Sequence, residues 1–428
     1  MEYLLFAGYL VLFAWLVTKV KFFTRAGLTN PQLIIIFLLK VMAGILYGWI
    51  GIYYGSMAQM VDTWGFHYYS LQEYKLLQTN PSEYLTNIFY NPYDEGFYTF
   101  FSSDHSFWQN LKGNATIKLL SIFDIFSFGN YYINVIFYAF LTFFGSLGIY
   151  RVMENVFPGK RKQLLFSVFL IPSFLFWTNG IHKEGLIFTG ISIVIFNTFY
   201  AILERRFSLK RISYIGGGLF LIFIFRNFLV ITIIPALVAW ILAAKFPQRA
   251  MQVFLLTYLV FTTFFFTARW ISPKFDFPEI VVTKQKDFLR LQGGNSVIDV
   301  KEMKPDAGTF ITAIPHALLT AVIRPFPGDA KNILSLTAAI EINFLLLFSI
   351  LFLLWRIKGP KNFPFIYFCI SFSFTTLLTI GYTVNFLGAL VRYRSIILPF
   401  LIIPMIALTD WNRIGKLLLN KTKRVTGA

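Results

Sequence analysis

Apolar runs close to membrane-spanning length, separated by short polar stretches, recur along almost the whole chain. A helix crosses the hydrocarbon core of a bilayer with about 20 apolar residues. The pattern predicts eleven spans, roughly at 3–20, 32–55, 131–150, 163–178, 184–203, 212–225, 228–244, 251–270, 334–355, 363–381 and 395–410. Because only helices and closed barrels satisfy their backbone in lipid, the expected fold is an all-α polytopic membrane protein, one integral membrane domain over 1–428. Two long segments, about 56–130 and 271–333, interrupt the alternation. Within the first, 116–128 (TIKLLSIFDIFSF) predicts an amphipathic interfacial helix, with Lys118 and Asp124 interleaved among apolar residues. Within the second, 309–323 predicts a shallow or re-entrant helix closed by Arg324-Pro325-Phe326-Pro327. The first apolar run has no basic leader and no small-residue cleavage site, so it is expected to be a retained helix.

The basic residues orient this pattern. Lys19, Lys21 and Arg25 follow the first span, and Arg151, Lys160, Arg161 and Lys162 the third. Arg205, Arg206, Lys210 and Arg211 follow the fifth, Lys245 and Arg249 the seventh, and Arg356, Lys358 and Lys361 the ninth. Arg413, Lys416, Lys421, Lys423 and Arg424 follow the last. Short cytoplasmic loops collect Lys and Arg. The N-terminus is therefore expected outside, the C-terminus in the cytoplasm, and both long segments outside.

Composition agrees with a membrane chain: 428 residues, 57% hydrophobic and 14% charged, with a mean hydropathy of +0.64. The net charge of +18 lies between spans rather than on one surface, so nucleic acid is not an expected partner. The single cysteine, Cys369, excludes a disulfide within the chain or a thiolate metal cluster and reads as a small buried hydrophobe.

Candidate chemistry collects on the predicted outer side. All four histidines fall there, His67, His105, His182 and His316, with Asp62, Asp94, Glu95 and Asp104. So do Lys183, Arg226, Arg324, Arg392 and Arg394, against the positive-inside trend. Any one of them has a plain reading as a side chain reaching to lipid headgroups. Together, facing acids and histidines, they predict a shared anion site, because ionisable groups near membrane depth are costly and mark function. Asp62 opens the polar stretch DTWGFH; it reads either as the cap of a helix starting at Thr63 or as a general base or ligand of a divalent metal. His67, five residues on, shares a helical face with it poorly, so a metal pair from these two is weak. The hairpin at 171–185 (IPSFLFWTNGIHKEG) presents His182 and Lys183, with Glu184 pairing Lys183 or capping the next helix. Arg392 and Arg394 flank Tyr393 at the start of the last span. Guanidiniums bind phosphate bidentately, although on a helix these two would point about 200° apart. Glu341, inside the ninth span, is expected to ion-pair with one of them. No Walker loop, dinucleotide glycine motif or Ser-His-Asp order appears. An enzyme facing outward has no cytoplasmic nucleotide to use, so its donor must already be in the membrane.

The early-span carboxylate Asp62, the long first outer segment with its interfacial helix, and the many spans together resemble the GT-C superfamily of polyprenyl-phosphate-sugar glycosyltransferases. PSFLFW at 172–177, His182-Lys183-Glu184, and Arg392-Tyr393-Arg394 with Pro399 resemble membrane proteins of bacterial surface-polysaccharide clusters, including repeat-unit polymerases. The resemblance covers most of the chain on short motifs. It implies a glycosyltransferase of the bacterial inner membrane, acting on the extracytoplasmic face. The donor would be a polyprenyl-linked sugar and the acceptor a glycan or another lipid-linked sugar. Asp62, Asp94 or Asp104 would serve as base or metal ligand, and Lys183, Arg226, Arg324, Arg392 and Arg394 as phosphate-binding groups. GT-C enzymes usually place the outer carboxylate after the first span, whereas Asp62 follows the second. A repeat-unit polymerase and a lipid-linked-sugar flippase are the alternatives; a flippase should carry polar groups at mid-bilayer depth.

Overall fold

A computed structural model describes residues 2–58, 61–93, 96, 106–291, 296–357, 359 and 363–417, with side chains left undescribed at 54–61. The described residues are almost entirely helical, with only two isolated β-bridges. In chain order the helices are α1 (Glu2–Leu16), α2 (Lys21–Thr24), α3 (Asn30–Ala58), α4 (Val61–Thr79), α5 (Pro81–Thr86) and α6 (Phe107–Ser127). Next come α7 (Tyr131–Val156), α8 (Arg161–Phe169), α9 (Pro172–Asn179), α10 (Lys183–Leu203), α11 (Leu209–Lys245) and α12 (Ala250–Thr267). The series ends with α13 (Phe277–Arg290), α14 (Ala307–Ile323), α15 (Ile333–Leu354), α16 (Phe363–Thr383), α17 (Leu387–Ser395) and α18 (Leu398–Ala407).

Among the described residues, seven helices are long and apolar enough to cross a membrane, or eight if the bent pair α17–α18 is one span. This makes the chain a multi-pass helical membrane protein. The expected eleven spans differ from this count where the chain breaks its helices. The run at 163–178 is two short helices, because Pro172 starts α9 and forces Ile171 into an extended conformation. Spans 212–225 and 228–244 are joined in α11, whose helical geometry fails only at Arg226 (φ −158°, ψ 80°). The first run stops at Leu16, one residue short of a hydrogen-bonded turn at 17–19. The last bends by 58° ahead of Pro399.

Packing contacts give the direction of each segment. Gly145 lies against Thr189 and Gly148 against Ser192, so α7 and α10 run parallel. The broken α8–α9 leads back between them, from Arg161 on Gln32 at one end (2.6 Å) to Asn179 beside Gly44. The first part of α11 runs antiparallel to α10, with Gly218 against Gly190 and Arg226 reaching Glu184. Its second part returns, because Trp240 packs on Phe365 (5.1 Å), which also meets Phe199 near the end of α10 (5.9 Å). Arg226 is therefore the apex of a helical hairpin. Burial of aromatic and β-branched side chains along these contacts supplies one continuous core.

Helix α6 is polarised in the opposite sense to a surface helix of a soluble protein. Lys118 and Asp124 of the expected amphipathic stretch are buried against α4, and Ile122, Ile125 and Phe126 are exposed. Lys118 pairs with Glu73 and donates to Asn87 and to the Tyr84 carbonyl (2.8 Å). Asp124 accepts from Ser70 (2.7 Å) and Asn134 (2.6 Å). An apolar exterior over a polar, satisfied interior suits a helix at the hydrocarbon boundary. The second expected helix is α14; Asp306 caps it (2.9 Å from Thr309 N), and Tyr382 of α16 donates to its Phe310 carbonyl (2.8 Å).

Candidate functional site

Five separate stretches of chain meet where α4, α10, α11 and α17 come together under α6. The turn at 180–182 is pressed between helices: a Cβ on Gly180 would collide with the Tyr47 ring of α3, and Tyr138 of α7 donates to the His182 carbonyl. That turn fixes the start of α10. Glu184, in its first turn, is fully buried and contacts His182, Arg226 (2.6 Å) and Arg392 (3.5 Å). The break in α11 frees Arg226 to reach it, and its guanidinium also lies 3.7 Å over the Tyr393 ring. Arg392 extends from α17 past Trp177 (5.8 Å) and Tyr393 (5.3 Å) to Asp62 (3.5 Å). Asp62 Oδ2 also faces His182 Nε2 at 3.2 Å, so the imidazole is bracketed by two carboxylates. Lys183 lies 4.8 Å over the Phe66 ring.

The two carboxylates are not equivalent. The Glu184 side chain is 0% exposed and acts as an internal counter-ion; Asp62 is 52% exposed and open to a ligand. Partial burial pushes the Asp62 carboxyl up, but the His182 hydrogen bond and the charges of His182, Arg392 and Lys183 outweigh it and hold the group at about 2. Lys112 of α6 also looks into the cluster: burial first, then Lys284, Arg226 and Arg392, pull its ammonium down to about 8, against the pull of Tyr393. Trp108 ties α6 in place over α11 by donating to the Phe223 carbonyl (3.1 Å). From the other side α13 packs Phe288 on Tyr393 (6.4 Å). Its neighbouring loop pairs with the start of α17 through Ile298 N on the Asn385 carbonyl (2.8 Å) and Leu387 N on the Ser296 carbonyl (2.9 Å).

Of the residues read from the sequence, Asp62, Lys183, Arg226, Arg392, His182, Glu184 and Tyr393 come together here. Asp62 stands inside the first turn of α4, which begins at Val61, so the cap reading gives way to its contacts with His182 and Arg392. Glu184 serves Arg226, Arg392 and His182 rather than Lys183. Arg394 does not join the site. It is buried and donates to the Ala321 (2.9 Å), Val322 (3.3 Å) and Arg324 (2.7 Å) carbonyls, closing the C-terminus of α14. Arg324 turns to Asp329 (3.7 Å) and Phe326. Glu341 accepts from the Ser173 backbone and hydroxyl (both 2.6 Å), which caps α9, and it attracts the expected Arg394 from beyond ion-pair distance. His67 faces Tyr131 and Asp124 on another side of α4, as its spacing from Asp62 predicts. His316 sits exposed on α14. Asp94, Asp104 and His105 lie outside the described residues. Lys112 was not anticipated; it precedes the stretch read as amphipathic, and no local pattern separates it from a surface lysine.

No family profile, curated protein or solved structure matches this chain. Among the described residues, no group of three or more His, Cys, Asp or Glu side chains is placed to hold a metal ion. A divalent ion on Asp62 Oδ2 would compete with His182 and Arg392 for that oxygen.

Proposed function

We propose that this protein is a membrane glycosyltransferase that uses a polyprenyl-phosphate-linked sugar on the extracytoplasmic face of a bacterial inner membrane, in the synthesis of a surface glycan. One observation carries the reading: an exposed carboxylate, Asp62, stands beside cations delivered by α6, α10, α11 and α17 at one end of an apolar bundle. The chain reversals support eleven crossings, with α8–α9 and α17–α18 as broken ones and α11 as two. On that count the site and both long segments share one side, and Arg151, Arg161 and Arg211 lie on the other. That arrangement favours the N-terminus outside and the C-terminus in the cytoplasm. Reporter fusions after Gly113 and at Ala428 are expected to give opposite-side signals; same-side signals would remove the outward-facing assignment.

In the proposed reaction the donor phosphate binds Arg226 and Arg392, with Lys183 adding its charge beside them. Drawing Arg392 onto phosphate loosens its hold on Asp62, and the carboxylate regains basicity. The acceptor hydroxyl oxygen attacks the anomeric carbon, the carbon–oxygen bond to phosphate breaks, and the hydroxyl proton passes to Asp62. The lipid phosphate leaves against the guanidiniums, which meet the charge that develops in the transition state. A repeat-unit polymerase performs the same transfer with an oligosaccharide donor. A flippase fits less well, because the exposed carboxylate and the cations around it gather at one end of the bundle, whereas Lys40 is buried along α3 and tied there to Ser146 (3.4 Å).

Asp62→Asn keeps side-chain size and removes the proton acceptor. Transfer from a lipid-linked donor in proteoliposomes is expected to fall about 100-fold or more, with the protein inserted and folded. Wild-type rates from the asparagine variant would reduce Asp62 to a structural partner of Arg392. The length of the glycan product separates single transfer from polymerisation.

A further inference from the structure

The charges of the site do not balance, and the excess has a location. Arg226 and Arg392 are matched by Glu184 and Asp62. Lys183 and Lys112 have no carboxylate within ion-pair distance among the described residues; Lys183 lies over Phe66, and Lys112 donates to Gln109 (2.7 Å). The two lysines repel one another and Arg392 adds to the repulsion on each, while Asp62 and Glu184, beyond ion-pair distance, attract Lys183 only in part against it. They come from different layers, Lys183 from the first turn of α10 and Lys112 from α6, which the Trp108 bond to Phe223 holds over the bundle. Lys284 of α13 lies close enough to add to the field on Lys112. Cations that outnumber the described carboxylates around them in a partly dry site cost free energy that a bound anion returns.

We propose that Lys112 and Lys183 form a second anion subsite beside the Arg226–Arg392 pair, so that the site takes a lipid diphosphate in preference to a lipid monophosphate. The inference rests on the anionic-donor reading above and narrows it to a class. The arginines, already paired with Asp62 and Glu184, hold one phosphate by bidentate donation. The lysines, as point charges, take the other. A diester of diphosphate carries two negative charges and matches the two unbalanced lysines; a phosphate diester carries one.

The test is binding to the full-length protein in detergent micelles, read by tryptophan fluorescence. Its probes are a sugar-linked polyprenyl phosphate, a sugar-linked polyprenyl diphosphate of the same chain length, and inorganic pyrophosphate. The diphosphate lipid is expected to bind about tenfold or more tighter than the monophosphate lipid. Lys112→Gln should bring the two within about threefold by weakening the diphosphate alone, while Lys112→Arg, which keeps the charge, should retain the preference. Inorganic pyrophosphate should bind about tenfold or more weaker than the diphosphate lipid; equal binding would overturn a lipid as the source. Equal affinity for the two lipids in the wild-type protein, or a preference unmoved by Lys112→Gln, would overturn the second subsite and leave the glycosyltransferase reading standing. Failure of wild-type protein to bind either lipid would overturn both.

Discussion

Glutamine at Glu184 is expected to abolish transfer and to lower the melting temperature in the same variant. The Glu184 side chain is completely buried and is the shared counter-ion of Arg226 and Arg392, as well as the group that orients His182. Removing one partner of a buried ion pair leaves an uncompensated charge and costs about 3–5 kcal/mol; here one change strands two guanidiniums. The same change frees the imidazole that faces Asp62, so geometry and charge fail together. Melting in detergent and transfer in proteoliposomes measure the two losses separately. Adding Arg226→Gln to the glutamine variant should recover part of the stability and none of the activity, since one stranded charge is gone and the phosphate loses a donor. A Glu184→Gln protein that melts with the wild type would show that the carboxylate does not hold the cluster.

The second large effect separates two arginines two residues apart. Arg392→Lys is expected to lower transfer by about 100-fold or more, the scale of losing a transition-state donor, with little change in melting. A lysine cannot bridge Asp62 and Glu184 while stacking on Trp177 and Tyr393, as the planar guanidinium does. Arg394→Lys should do the reverse. Its guanidinium closes three carbonyls at the end of α14, and each buried acceptor left unpaired costs about 1–3 kcal/mol. Melting should fall, and transfer should decline only with the folded fraction. If Arg394→Lys proves the more damaging to transfer per folded molecule, the division of roles drawn here is wrong.

These two residues also mark how far the sequence can be read. Both are arginines at the start of the last apolar run, and nothing local distinguishes them. Their separation depends on whether 391–395 is helical, because a helix sends positions two apart to nearly opposite sides. Once α17 forms, one meets Asp62 and the other α14. The helical membrane class, the reach of Asp62, and the convergence of Lys183, Arg226 and Arg392 were legible, because apolar periodicity and misplaced basic residues are local signals. The bond between Asp62 and His182 was not; it joins positions 120 residues apart through packing on α3 and α7. Helix α6 was legible as amphipathic, but its facing was not. Its alternation of polar and apolar residues is real, but the pattern does not say which face looks inward, and lipid reverses the rule that holds in water. Breaks such as Pro172 and Arg226 hid the count of long helices, since hydropathy averages over a kink.

The order in which the site is made follows from where its parts lie in the chain. Asp62 and Lys112 are synthesised early, His182 to Arg226 midway, and Arg392 more than 160 residues after Arg226. During membrane insertion Glu184 can meet Arg226 as soon as the α10–α11 hairpin closes, long before α17 emerges. Until then Asp62 has no arginine, and the nascent bundle carries a partial pocket that cannot complete a transfer. Truncation anywhere before α17 should therefore yield an inserted protein in which Asp62 lacks its arginine and, on the transferase reading, no transfer occurs.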